Sequence, residues 1–244
     1  MELNEGTYQL EKSLIIDKKI TIRAMTNNKV SLVYSSKENS ALFEMHPKGN
    51  LILENIALKG KRKQSAFATL EKNMSFSFNL NIKNSQISDF KNILNTYRGS
   101  FADSISFTNT TMKNCTNGLV LAAETDDKGD YNAEFVRIVN CEFENIHKDV
   151  INFYRGGYDE STIGGNLLVQ NSLFKNCGKK EESRILLKTR GIINVNISDN
   201  TFQNNPVKLV ALLWGEKNNQ HSGNELISSG ILRVDQYLKQ KLVY

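Results

Sequence analysis

Proline is almost missing from this sequence: Pro47 and Pro206 are the only two in 244 residues. That excludes polyproline segments, and no Pro/Gly/Ser-rich stretch separates one domain from another. Cysteine is scarce too. Cys115, Cys141 and Cys177 are an odd number, with no Cys-x-x-Cys pair. This excludes a disulfide scaffold and a zinc motif and leaves small buried thiols as the ordinary role. His46, His147 and His221 are too scattered to form a metal site by spacing. No apolar run approaches the ~20 residues of a membrane span. The opening Met1-Glu2-Leu3-Asn4-Glu5-Gly6 has neither the basic start nor the apolar stretch of a secretory leader. It fits a cytoplasmic chain, or a piece of a longer exported one.

Neither sign of charge dominates. Lys and Arg total 31 against 26 Asp and Glu, for a net charge of +5. A mildly basic chain tolerates a polyanion such as an acidic polysaccharide or a nucleic acid, although everyday surface charge gives the same figure.

What the sequence does contain is a repeat. Its core reads apolar, any, Asn, any, any, apolar, any, Asn. Ile138-Val139-Asn140-Cys141-Glu142-Phe143-Glu144-Asn145 and Val169-Gln170-Asn171-Ser172-Leu173-Phe174-Lys175-Asn176 are the clearest copies. Phe107 to Asn114, Ile197 to Asn204 and Ile82 to Asp89 follow the same pattern, and Leu53 to Gly60 does so more weakly. The first polar position falls at 55, 84, 109, 140, 171 and 199. A period of about 29 residues lies in the range of stacked solenoids and implies roughly eight units.

The unit is made of strands. Ser104-Ile105-Ser106-Phe107-Thr108 and Val136-Arg137-Ile138-Val139 alternate with period two, as half-buried strands do. No segment carries a long helical period with caps. Short strands and turns at this period can stack only by parallel pairing with the next coil. The sequence therefore predicts an all-β fold, a single right-handed parallel β-helix over residues 1–244, with about 233–244 covering the last coil. Met112, Phe143, Phe174 and Phe202 should form one buried file. The recurring Asn suits a left-handed turn, and stacked copies can join as an amide ladder. Cys115 and Cys177 occupy equivalent places and should point inward. A leucine-rich repeat has a similar period, but its Leu-x-x-Leu-x-Leu spacing is absent.

One stretch is more specific. Asp149-Val150-Ile151-Asn152-Phe153-Tyr154-Arg155-Gly156-Gly157-Tyr158-Asp159-Glu160-Ser161-Thr162, leading into Asn166 to Phe174, resembles family 6 polysaccharide lyases, the alginate lyases and chondroitinase-type enzymes. The likeness is closest to the C-terminal β-helix of two-domain members, whose opening Leu3 to Tyr8 and Lys19 to Ile22 also resemble.

The resemblance implies β-elimination on a uronic-acid polymer. A lysine removes the C5 proton, an arginine lies near the leaving oxygen, and calcium neutralises the carboxylate in many members. Lysine can act as a base only with a lowered pKa, and the developing charge needs a cation beside it. Arg184-Ile185-Leu186-Leu187-Lys188-Thr189 looks like the family's lysine strand, with Lys188 at the catalytic place. The arginine should follow one coil later, where this chain reads Val210-Ala211-Leu212-Leu213-Trp214-Gly215. No acidic cluster suggests the calcium site, so a bound metal is possible by resemblance alone.

Candidate catalytic residues are thus Lys188 and Arg190, whose plainer role is a solvated basic strand edge. Candidate substrate-binding residues are Tyr154, Arg155, Tyr158 and Trp214, since aromatic faces stack on sugars and Arg pairs with carboxylates. Arg155 could instead pair structurally with Asp159 or Glu160, and Trp214 could serve the core. The implied partners are an acidic, alginate-like polysaccharide and an N-terminal catalytic β-helix absent from this chain, with neither nucleic acid nor membrane. The expected role is an accessory C-terminal half, periplasmic or secreted if the chain belongs to an exported protein. The alternatives are an active single-domain lyase and a purely glycan-binding β-helix.

Overall fold

A computed structural model describes residues 1–26, 29–38, 40–124, 130–156, 165–178, 184–214 and 218–235. Among these there is no helix, so none is long and apolar enough to cross a membrane. The strands form three parallel sheets, each nine strands deep. Every third strand in sequence joins the same sheet, which is the topology of a parallel β-helix. One full coil runs from Ala102–Thr108 in the first sheet through Thr111–Lys113 in the second to Asn117–Leu121 in the third.

Nine strands per sheet exceed the roughly eight units the mean period implies, because coils near both ends are short. Glu2 pairs with Arg23, and Asn194 with Asn218. The last strand of the third sheet is Ile231–Asp235, so Arg233 still belongs to the ladder. Residues 236–244 lie outside the described part.

The expected file is present. Met112 pairs with Phe143, Phe143 with Phe174, and Phe174 with Phe202, and all four are fully buried. The rings stack, with centroids 5.1 Å apart for Phe143–Phe174 and 4.8 Å for Phe174–Phe202. In parallel register the side-chain period of two keeps the same face inward on every coil. Hence Ile22, Leu53, Ile82, Phe107, Ile138, Val169 and Ile197 make a second file on the first sheet.

The repeated Asn does what its chemistry suggests. Asn55, Asn84, Asn109, Asn140, Asn171 and Asp199 all have φ between 48° and 62°. So do Asp89, Asn114, Asn145, Asn176 and Asn204 at the second polar position. Asn and Asp enter the left-handed region more readily than other side chains with a Cβ. The exposed amides join across coils, Asn140 Nδ2 donating to Asn109 Oδ1 at 3.2 Å and Asn109 Nδ2 to Asn84 Oδ1 at 3.1 Å.

An inner ladder lies beneath this outer one. From the second copy onward, the residue after the first-position Asn or Asp is buried and can accept a hydrogen bond: Ser85, Thr110, Cys141, Ser172 and Asn200. Each accepts a backbone N–H from the coil before, as Ser172 Oγ does from Cys141 N at 3.1 Å and Asn200 Oδ1 from Ser172 N at 3.0 Å. Buried turn amides need such acceptors. Cys141 belongs to this ladder, and Cys115 and Cys177 are buried at the corresponding place after the second-position Asn114 and Asn176. Burial pushes the Cys115 thiol up to about 12 and Cys141 up to about 11, so both stay protonated and unreactive.

Candidate functional site

Outward residues of the third sheet stand in rows as regular as the buried ones. One row runs Ala68, Asn95, Val120, Asn152, Lys188, Leu212, Arg233. A parallel flank carries Ser65, Asn92 and Asn117. Asn117 Nδ2 donates to Asn92 Oδ1 at 2.7 Å, and Asn92 Nδ2 to Ser65 Oγ at 2.9 Å. Between them lies a groove of about 300 Å³, lined by these amides together with Lys63, Lys91, Tyr97 and Asp149. Its two cations are exposed. Its single carboxylate, Asp149, is paired with Arg184 at 3.2 Å. Tyr97 is held protonated, its phenol raised first by burial and then by the Glu71 carboxylate.

Lys188 is half-buried on the outer face of the strand Ile185–Arg190, beside the groove-lining Asn152. It makes no ion pair with any described residue. Arg190 lies two positions along the same strand and on the same face. Its guanidinium sits 4.8 Å over the Tyr154 ring, a cation–π contact. Lys188, Arg190 and Tyr154 are therefore brought together.

Arg155 is not on that surface. Arg155 continues the alternation of the strand Ile151–Tyr154 on the inward side, and there forms an antiparallel bridge with Tyr131. It is 5% exposed, and its backbone N–H donates to the Arg190 carbonyl at 2.8 Å. Gly191 packs over it with φ 70°, where a Cβ would stand 3.2 Å from that of Arg155. Tyr158, Asp159 and Glu160 lie outside the described residues. Trp214 is the backbone partner of Arg190, and its side chain lies outside the described part.

The groove residues Lys63, Lys91, Asn92, Asn95, Asn117 and Asn152 escaped the sequence reading. Only the clustering of amides at strand starts, Asn92 and Asn117, hinted at them.

Chemically, the face offers several cations, amide donors and acceptors, and the rings of Tyr97 and Tyr154. It suits carboxylates and hydroxyls. The position one coil after Lys188 is Leu212, and that after Arg190 is Trp214, so neither supplies a cation. Calcium takes six to eight oxygen ligands. Among the described residues no three Asp, Glu, His or Cys side chains converge, and Asp149 is already paired. The groove does not fit that ion.

No family model matches the sequence, and no curated protein matches it. Solved structures do. A point mutant of AlyGC, a PL6 family alginate lyase, superposes with a TM-score of 0.83 at 26% identity, over 96% of this chain and 34% of that one. A second AlyGC structure gives 0.67 at 23% identity, over 96% and 36%. WceF of Pantoea stewartii, a glycan biofilm modifying enzyme with a bacteriophage tailspike-like parallel β-helix fold, gives 0.61 at 13% identity, over 95% and 33%. The last two show likeness of fold. This chain spans about a third of the length of each neighbour. It is similar, over that third, to a polysaccharide lyase of the parallel β-helix kind.

Proposed function

We propose that this chain is an accessory β-helix of an alginate lyase-type system, holding an acidic uronic-acid polymer along its third sheet without cleaving it. The chemistry is supplied by a separate N-terminal catalytic β-helix, and the pair works in the periplasm or outside the cell. One observation carries the reading: the register sets Leu212, not a cation, one coil beyond Lys188. β-Elimination needs a base and a second positive group near the developing charge. Lys188 and its amide neighbours attract a carboxylate, and the next coil places no second cation beside them. The amide-lined groove and its exposed cations favour retention of polymer.

One feature favours a second reading. Lys188 and Arg190 share a face about 6.6 Å apart along the strand, which is close enough for one sugar to meet both. In that case the chain is an active lyase.

Purified chain incubated with alginate separates the two. The ultraviolet absorbance of unsaturated uronate is expected to stay flat. Alginate oligomers should bind at low ionic strength and weaken as salt screens the cations. Lys188→Ala with Arg190→Ala should weaken binding about tenfold. Absorbance that grows and is lost in Lys188→Ala establishes the active reading. No binding at low salt sinks both.

A further inference from the structure

We infer that the outer face of the first sheet carries a second docking site, for an acidic glycan chain. The inference shares its ligand class with the proposed function, but not its site. The hollow on this face is the larger of the two grooves, about 760 Å³ against about 300 Å³ on the third sheet. Two outward rows line it. One runs Ser104, Phe135, Asn166, Asn194, and the other Arg137, Leu168, Asn196, Gln220.

Phe135 is 53% exposed. Its row neighbours are Ser104 and Asn166, so no aromatic ladder accounts for the ring. An exposed aromatic amid polar groups suits the C–H face of a sugar. The amides beside it are held in place. Asn194 Nδ2 donates to Asn166 Oδ1 at 2.7 Å, Asn166 Nδ2 to Glu134 Oε1 at 3.1 Å, and Asn196 Nδ2 to Gln220 Oε1 at 3.3 Å. Groups already ordered lose little freedom on binding.

Charge selects the ligand. Arg137 is exposed and makes no ion pair with any described residue, and the nearby Glu134 carboxylate is not among the lining residues, its oxygens being taken up by Asn166 Nδ2 and the Tyr131 hydroxyl. An anionic group is therefore favoured, and Arg can hold a carboxylate through two hydrogen bonds. The single cation serves one carboxylate, while the amides and the Phe135 ring are left for sugar hydroxyls and C–H faces, groups that a polyphosphate does not offer at every unit. Coils repeat about every 4.7–4.9 Å, close to the length of one sugar unit. A uronic-acid chain lying along the axis would thus meet a new pair of outward side chains at each sugar.

The test is calorimetric titration of the whole chain with an alginate tetrasaccharide at low salt. Two sites per chain are expected. Phe135→Ala with Arg137→Ala, and separately Arg137→Glu, should remove one of them, with at least about a tenfold loss of affinity there. Lys188→Ala with Arg190→Ala should remove the other. Phe135 and Arg137 are exposed, so melting curves of these variants should match the parent. Binding that ignores both first-sheet variants overturns the inference and leaves the third-sheet proposal standing. Binding lost only in the first-sheet variants upholds the inference and overturns the third-sheet proposal. No binding by the parent overturns both. A parent that sediments as a dimer, made monomeric by the Phe135/Arg137 variant, assigns the face to a second copy and overturns the inference.

Discussion

Truncating Phe174 to alanine removes the middle ring of a buried stack. Phe174 is fully buried, with Phe143 on one side at 5.1 Å and Phe202 on the other at 4.8 Å. A buried Phe→Ala change ordinarily costs about 3–5 kcal/mol, from lost transfer free energy plus the cavity left behind. Each stacked pair adds about 0.5–1.5 kcal/mol beyond burial, and two pairs are lost. The site has little room to collapse, because register with the neighbouring coils fixes the backbone on both sides. We expect the upper part of the range, about 5 kcal/mol, read as a fall in the urea midpoint by circular dichroism. In a solenoid each repeat contacts only its neighbours. Phe143→Ala and Phe174→Ala should therefore be coupled in a double-mutant cycle, whereas Phe43→Ala, on the third sheet near the N-terminal end, should add independently to Phe174→Ala. A Phe174→Ala cost below about 1 kcal/mol, within the range of surface changes, would refute the stack. So would zero coupling between positions 143 and 174.

Other outcomes rest on the turns and the buried thiols. Asn140 has φ 54° and donates to Asn109. Asn140→Ala should cost about 1–2 kcal/mol and Asn140→Gly less, because glycine keeps the left-handed backbone and loses only the hydrogen bond; equal melting temperatures for the two would count against the ladder. The three buried thiols should resist a thiol reagent at neutral pH and react on unfolding. The raised Cys115 pKa sets a sign. The unfolded thiol ionises near 9.0 and the folded one near 12, so this contribution is intact below pH 9 and is lost as pH rises toward 12. Stability flat from about pH 8 to 11 in the parent, and unchanged by Cys115→Ala, would contradict it. Gly118→Ala should fail to fold normally, since a Cβ there would stand 2.0 Å from the Val150 carbonyl oxygen; a parent-like melting temperature would argue against that close approach.

The fold was legible because its causes are periodic. A parallel coil repeats the same inward, outward and turn positions, so Asn140 and Phe174 each recur with their neighbours at a nearly fixed interval. The file of Met112, Phe143, Phe174 and Phe202, the left-handed Asn turns and the inward cysteines could all be placed from sequence, since each answers to backbone geometry shared by every coil. The inner ladder of Ser85, Thr110, Ser172 and Asn200 was equally periodic but varied in residue type. A hydroxyl, a thiol and an amide can each accept the same buried N–H, so no single letter marks it.

What could not be read was which outward side chains share a groove. Those positions carry no packing constraint, and the loops between sheets vary in length, so residues as far apart as Lys63 and Asn152 meet only once the register is set. Arg155 shows a different limit. The period of two that turns Ile151 and Phe153 inward and Tyr154 outward also sends Arg155 inward, and the bridge to Tyr131 holds it there, away from the surface that its neighbour Tyr154 occupies. Sequence by itself determined the coil, because one side-chain period and one turn chemistry recur in every copy. Only the tertiary structure decided the two grooves, because they are made by residues that neighbour one another across coils and not along the chain.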